Sequence, residues 1–325
     1  MSASGTVRRF PVLEIAMWAL ALAVPFLFPS ELSLATSVAI MALFAVSLDL
    51  VLGFAGIVTM GHALFFGVGA YGAAWIALSG WVEPVSGMLI AGAVAAVVAA
   101  VLGPFILRSQ GLPLIMVTLV VGLVFFEAAN KASDFTGGDN GLGGYVLWPL
   151  LGWFNWSVFG KVEYLYALTC LFIFFQAAKE LIASPFGLAL QGIRENPTRM
   201  ALVGAPVQGH LLRIYIVSAF MAGVAGALSA QTTKIVGIDV LSINTSVDVL
   251  VMLVLGGVGT LYGGIIGAIV YMVVHHLAST WNPYHWMFII GFLLVIVVRA
   301  GHGGLVRIGA GWLQRWHLAR GRRDQ

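Results

Sequence analysis

Charge is what this sequence has least of. Of 325 residues only 9% are Asp, Glu, Lys or Arg, against 60% hydrophobic, where a soluble domain carries about 25% charged residues. A chain so composed cannot cover a water-facing surface, however its length is divided into domains. One cysteine, Cys170, excludes a disulfide scaffold and sits in an apolar run as a small hydrophobe. Catalytic signatures are missing as well. There is no G-x-x-x-x-G-K-[ST] phosphate loop, because Gly160-Lys161 is followed by Val162. Nor is there an HExxH, a metal-spaced Cys/His set or a Gly-x-Ser-x-Gly elbow. These absences argue for a membrane protein that is no enzyme and has neither a cofactor nor a metal of its own.

What the chain has is long apolar runs, with a mean hydropathy of +1.00. Runs such as Leu89 to Leu107 and Leu112 to Phe126 show almost no alternation, so they fit helices rather than the alternating strands of a barrel. The pattern predicts an all-α, polytopic membrane protein. Helices are expected near 12–28, 32–52, 57–79, 84–107, 112–130, 163–182, 212–233, 262–279 and 284–300. A tenth, near 247–256, is too short for a full crossing. About ten membrane-embedded helices result, one or two of them short or broken, in a single transmembrane domain over 1–325. Placing the N-terminus inside puts thirteen of the sixteen basic residues on the inner side and leaves Lys131, Lys161 and Lys234 outside. Both termini are therefore expected in the cytoplasm. Arg8 and Arg9 precede a run to Phe28 that is long for a signal peptide and lacks a small-x-small cleavage site. A pI of about 9.1 suits anionic lipid headgroups rather than nucleic acid.

Two loops break the pattern. The outer one, about 131–161, holds Gly137, Gly138, Asp139 and Asn140, followed by Trp148, Trp153 and Trp156. It reads either as an interfacial cap or as a docking surface for something arriving from outside. The inner one, about 183–212, predicts two short helices, one ending at Glu195 and a second capped by Asn196 ahead of Pro197. Gly204-Ala205-Pro206 ends the second. This pair presents Arg194, Glu195 and Arg199, either to a soluble partner or merely as topology-setting arginines.

Glycine turns also echo one another. Gly53 and Gly56 lead to Gly61, and Gly256 and Gly259 lead to Gly264, at the same offsets. Matching breaks are a mark of duplicated transporter folds, although 40 glycines make chance a rival. The stripe Gly259, Gly263 and Gly267 reads as helix packing. Intramembrane ionisable residues default to functional candidates: Asp49 and Glu127 either line a pathway or hydrogen-bond to a neighbouring helix end, His62 is a further pathway group, and Asp248 is a pathway group or a helix N-terminal carboxylate. His275 and His276 read as interfacial anchors.

Ser47 to Gly56 (SLDLVLGFAG), Met60 to Tyr71 (MGHALFFGVGAY), Thr136 to Leu142, Ile193 to Asn196, Ser218 to Leu228 and Leu255 to Gly263 together resemble the permeases of branched-chain amino acid ABC transporters, in their LivM branch. These blocks run in family order over nearly the whole chain. The resemblance implies a multi-pass subunit of the bacterial cytoplasmic (inner) membrane, paired with a LivH-type permease. Two cytoplasmic ATPases, which bind the ATP and Mg, and an extracytoplasmic solute-binding protein complete the importer it implies. It also implies that Arg194, Glu195, Asn196, Arg199 and Gly204 belong to a coupling loop seated on an ATPase, with the outer glycine loop facing the binding protein. The pathway candidates are Asp49, Gly53, Gly56, His62, Gly256 and Gly259. The chain departs from the family pattern at Arg299 to Gly304, Gly264 and Pro197, which leaves the substrate branch open: hydrophobic amino acids, or urea, amides or aromatic acids. The rival classes are an ion-coupled secondary transporter using Asp49, Glu127 and Asp248, and a structural scaffold.

Overall fold

A computed structural model describes residues 11–150, 152, 154, 156, 160–281, 286–300 and 304–305. Trp153, Arg8, Arg9 and the arginines of the carboxyl-terminal tail lie outside the described residues, as does the side chain of Asp139. Among the described residues the chain is all-α apart from one two-residue pairing. The helices are α1 (Pro11–Leu27), α2 (Leu32–Asp49), α3 (Ala63–Leu78), α4 (Pro84–Ile106), α5 (Leu112–Lys131) and α6 (Ser133–Thr136). They continue with α7 (Lys161–Ala183), α8 (Pro185–Glu195), α9 (Pro197–Leu202), α10 (Val207–Thr233), α11 (Ile243–Gly256), α12 (Tyr262–Trp281) and α13 (Trp286–Ala300). Strands β1 (Leu142–Gly143) and β2 (Ile235–Val236) pair antiparallel and stitch the loop after α6 to the loop after α10.

Six helical runs are long and apolar enough to cross a bilayer: Pro29–Phe54, Pro84–Ile106, Leu112–Lys131, Lys161–Ala183, Val207–Thr233 and Tyr262–Trp281. Glu14–Leu27, Ala63–Leu78 and Ile243–Gly256 are shorter apolar helices. The protein is a multi-pass membrane protein.

Small residues decide the packing. Between α3 and α10, Gly69 lies on the backbone of Gly223 and Gly226 on the carbonyl of Phe66. Between α4 and α10, a Cβ on Gly223 would run into Ala95. Where glycines and alanines meet, helix backbones approach closely and dispersion replaces the side-chain interlock of a soluble core. On α12 the expected stripe works this way at Gly267, which faces the Met252 carbonyl of α11, and at Gly263, which faces the Gly257 carbonyl just beyond that helix. Gly259 lies before α12, in the turn that precedes it.

The expected boundaries hold closely except at three helices. The run 57–79 is helical only from Ala63, because the irregular segment after the π-helical turn at Leu50–Phe54 continues to His62. α10 begins at Val207 rather than 212, so the inner loop is shorter than its composition suggests. α11 begins at Ile243, with Ser242 Oγ accepting from the Thr245 N–H at 3.3 Å. Asp248 is therefore in its second turn, where it accepts from Tyr271 OH at 2.5 Å, rather than at its N-terminus.

Contacts sort the helix ends into two groups. At one end Glu14 on α1 accepts from Lys179 Nζ at the end of α7 (2.5 Å), from Gln176 Nε2 (3.1 Å) and from Tyr262 OH at the start of α12 (2.9 Å). Gly304, beyond α13, packs on the backbone of Gly256 and Gly257 at this same end. At the other end His276 Nε2, on the last turns of α12, lies 3.8 Å from Glu31 before α2.

Candidate functional site: the junction of two glycine turns

α2 ends at Asp49 and continues as one π-helical turn, Leu50–Phe54. α11 ends at Gly256 and is followed by a turn that leads into α12. The fold lays these two breaks against each other. Gly56 and Gly259 hold equivalent places after them and both adopt left-handed backbone, φ 75° and 79°, which glycine tolerates without penalty. A Cβ on Gly259 would lie 3.2 Å from the Gly53 carbonyl oxygen. The echo in the sequence thus corresponds to a physical contact.

Asp49 is fully buried, and its carboxylate is spent on this contact. Oδ1 accepts from the Gly259 N–H at 2.7 Å and Oδ2 from the Leu261 N–H at 2.8 Å. Leu261 has φ 52°, a region that a β-carbon disfavours, so the carboxylate holds a turn that would not form unaided. Asp49 caps a backbone just beyond the end of α11, the second of the two roles open to a lone intramembrane acid. His62 is also buried and engaged. Its ring stacks on Phe44 at 5.4 Å, and Nε2 lies 3.0 Å from Ser47 Oγ. The Ser47 hydroxyl donates to the Phe44 carbonyl (2.6 Å) and Ser218 donates to the Ser47 carbonyl (2.5 Å). His62 therefore joins α2, α10 and the start of α3.

The loop between α7 and α10 reaches the junction through one side chain. α8 is N-capped by Ser184, and α9 by Asn196, whose Oδ1 accepts from the Arg199 N–H at 2.8 Å. Gly204, at φ 91°, follows α9. At the end of α8, Arg194, itself still exposed, reaches the junction: Nη1 donates to the Gly53 carbonyl, and its stem lies against Gly56. Glu195, Asn196 and Arg199 are exposed. So are Leu202 and Val203, 86% and 78% exposed.

The structure therefore gathers Asp49, Gly53, Gly56, Gly256, Gly259 and Arg194 at one place and leaves the other expected residues elsewhere. Gly137 and Gly138, with φ 76° and 55°, shape the turn at Gly138–Asn140 beside the β1–β2 pairing. Asn140 there is exposed. Glu127 is exposed on α5, and Asp248 and Asp49 share no partner. Among the described residues no three His, Cys, Asp or Glu side chains are gathered as a metal site would require. Sequence reasoning passed over Ser47, Thr118, Ser218, Ser246, Glu14 and Gly304. For the hydroxyls, the available signal was a polar residue inside an otherwise apolar helix, where it must find a partner.

Comparison with known proteins bears on what such a junction belongs to. A family profile described as the permease component of the branched-chain amino acid transport system matches residues 31–298. The chain belongs to this permease family. It is 27% identical over 326 aligned positions to the high-affinity branched-chain amino acid transport system permease protein LivM of Escherichia coli K12, covering 92% of this chain and 76% of that one. The LivM protein of Salmonella typhimurium LT2 is 26% identical with the same coverage. No solved structure matches the chain significantly. The family match spans both glycine turns and the Arg194 loop, so the junction lies within the portion that this permease shares with its family.

Proposed function

We propose that this chain is a permease subunit of an ATP-driven importer of the bacterial inner membrane, carrying branched-chain or related hydrophobic amino acids. It pairs with a second, LivH-type permease, receives substrate from an extracytoplasmic binding protein and is driven by two cytoplasmic ATPase subunits that bind ATP and Mg. The chain crosses the membrane about ten times with both termini inside. The positive-inside count and the gathering of Glu14, Lys179 and Gly304 at one end of the bundle support this orientation. The observation that carries the reading is Arg194, which ties the loop between α7 and α10 to both helix breaks. An exposed helix pair with an apolar tip at Leu202 and Val203, rooted on intramembrane turns, has the form expected of a lever worked by another protein. Urea, short amides or aromatic acids are the alternative cargo.

The test is reconstitution with the partner subunits in liposomes and measurement of leucine uptake. Uptake should require ATP, and Arg194→Ala should abolish it while the subunits still co-purify. Leucine uptake by this chain alone, driven by an ion gradient without ATP, would instead establish a secondary transporter.

A further inference from the structure

Residues 55–61 interrupt the helices on either side of them, and their far end, Met60 and Gly61, lies beside α5, a helix long and apolar enough to cross a bilayer. The Met60 N–H donates to Thr118 Oγ1 at 3.1 Å, and Gly61 packs on the Thr118 carbonyl. Thr118 lies six residues into α5, about 9 Å from that helix's start at 1.5 Å per residue. The Ala63 N–H, where α3 begins, is capped by Ser246 Oγ at 2.9 Å.

The donors of this stretch are partly served, with Ile57 N–H on the Val51 carbonyl (3.0 Å) and Gly61 N–H on Thr59 Oγ1 (3.2 Å). Its acceptors are not. The carbonyls of Ala55, Gly56, Ile57, Val58, Thr59 and Met60 accept a hydrogen bond from no described residue. Exposure alternates along it: Gly56 and Val58 are exposed and Met60 half-buried, while Ala55, Ile57, Thr59 and Gly61 are buried. Hydrocarbon does not tolerate a row of unpaired carbonyls, and irregular backbone at this depth persists only inside protein or along a water-filled cavity.

We infer that the open edge Gly56–Val58–Met60 lines an aqueous translocation path, and that its carbonyl row receives the ammonium group of the transported amino acid. Carbonyl dipoles replace the hydration of a small cation without adding a fixed charge. Such a row suits a net-neutral zwitterion that must also be released. It also explains how a pathway can work while Asp49 and His62 are committed to holding the fold. The inference rests on the importer reading above.

The test uses the assembled importer in membrane vesicles. Cys170→Ala removes the native thiol, and Val58→Cys, Met60→Cys and the peripheral control Val97→Cys are added singly. Val58→Cys and Met60→Cys should react with the cationic reagent methanethiosulfonate ethyltrimethylammonium at least tenfold faster than Val97→Cys, and faster than with the anionic sulfonatoethyl reagent. Leucine delivered with ATP should slow both reactions. Rates no higher than at Val97→Cys would overturn the path, and a preference for the anionic reagent would overturn the carbonyl assignment. Leucine uptake is measured on the same vesicles. Its absence in the Cys170→Ala parent would count against the importer reading, whereas unreactive thiols in a transporting complex would count against this inference alone.

Discussion

Replacing Asp49 by alanine removes the only acceptor of two buried N–H groups, those of Gly259 and Leu261 at 2.7 and 2.8 Å. An orphaned buried donor costs about 1–3 kcal/mol, so the pair costs about 2–6 kcal/mol. Part of this returns when the turn relaxes, because releasing Leu261 from left-handed backbone recovers about 1–2 kcal/mol. At mid-range, a cost of about 4 kcal/mol less a recovery of about 1.5 leaves a net loss of about 2.5 kcal/mol for Asp49→Ala. Asp49→Asn keeps one carbonyl acceptor and should lose about half as much. Two measurements read this out: the thermal unfolding midpoint of the detergent-solubilised protein, and amide hydrogen exchange over 257–262. The midpoint should fall in the order parent, Asp49→Asn, Asp49→Ala, with exchange accelerated first at Gly259 and Leu261. A parent-like midpoint together with unchanged exchange in Asp49→Ala would show that the carboxylate does not hold the turn.

Other expectations follow from the same packing. Gly256→Ala drives a methyl group into the Gly263 carbonyl and should destabilise by about 1–3 kcal/mol, visible as a lowered unfolding midpoint. Glu14→Ala leaves Lys179, Gln176 and Tyr262 without their shared acceptor and should cost about 1–3 kcal/mol; Glu14→Gln should recover part of it in the same melt. Joint replacement of Leu202 and Val203 by serine should leave the melt of the isolated subunit unchanged. It should lower the affinity of the ATPase partner by ~5-fold or more, measured by titration of the purified proteins; unchanged affinity would place the docking surface elsewhere.

Helix positions were legible wherever hydropathy and a capping residue changed together, as at Asn196 and Gly204. The length of the break at 55–62 was not, because Ile57, Val58 and Met60 resume an apolar run straight after the Gly53 and Gly56 turn, and Thr59 and His62 alone do not mark a helix start. That break is set by Gly56 and by partners distant in sequence, Thr118 on α5 and Ser246 on α11. Asp49 shows the same limit in another form. A solitary acid in an apolar helix stands out in sequence, yet its partners are backbone N–H groups 210 and 212 residues away, which no side-chain pattern can announce. The repeated glycine offsets identified the right pair of turns. That the turns touch, and that Arg194 bridges to them, depends on tertiary structure.

The backbone contacts among α3, α4 and α10 have a mechanical consequence. Side chains that interlock can change rotamer and let helices slide, whereas backbone laid on backbone has no such compliance. These three helices therefore act as a stiff frame. α5 fully buries only Leu114, Thr118 and Gly122, with Val117, Val121, Phe125, Phe126 and Ala129 half-buried on the core beside them, so it is held less firmly than the frame. Spin labels placed within the frame should keep their separation through a transport cycle, while the separation from the frame to the outer half of α5 changes. The segment 55–62, bonded to α5 through Thr118, would be carried along as the hinge strap between the rigid and the moving part.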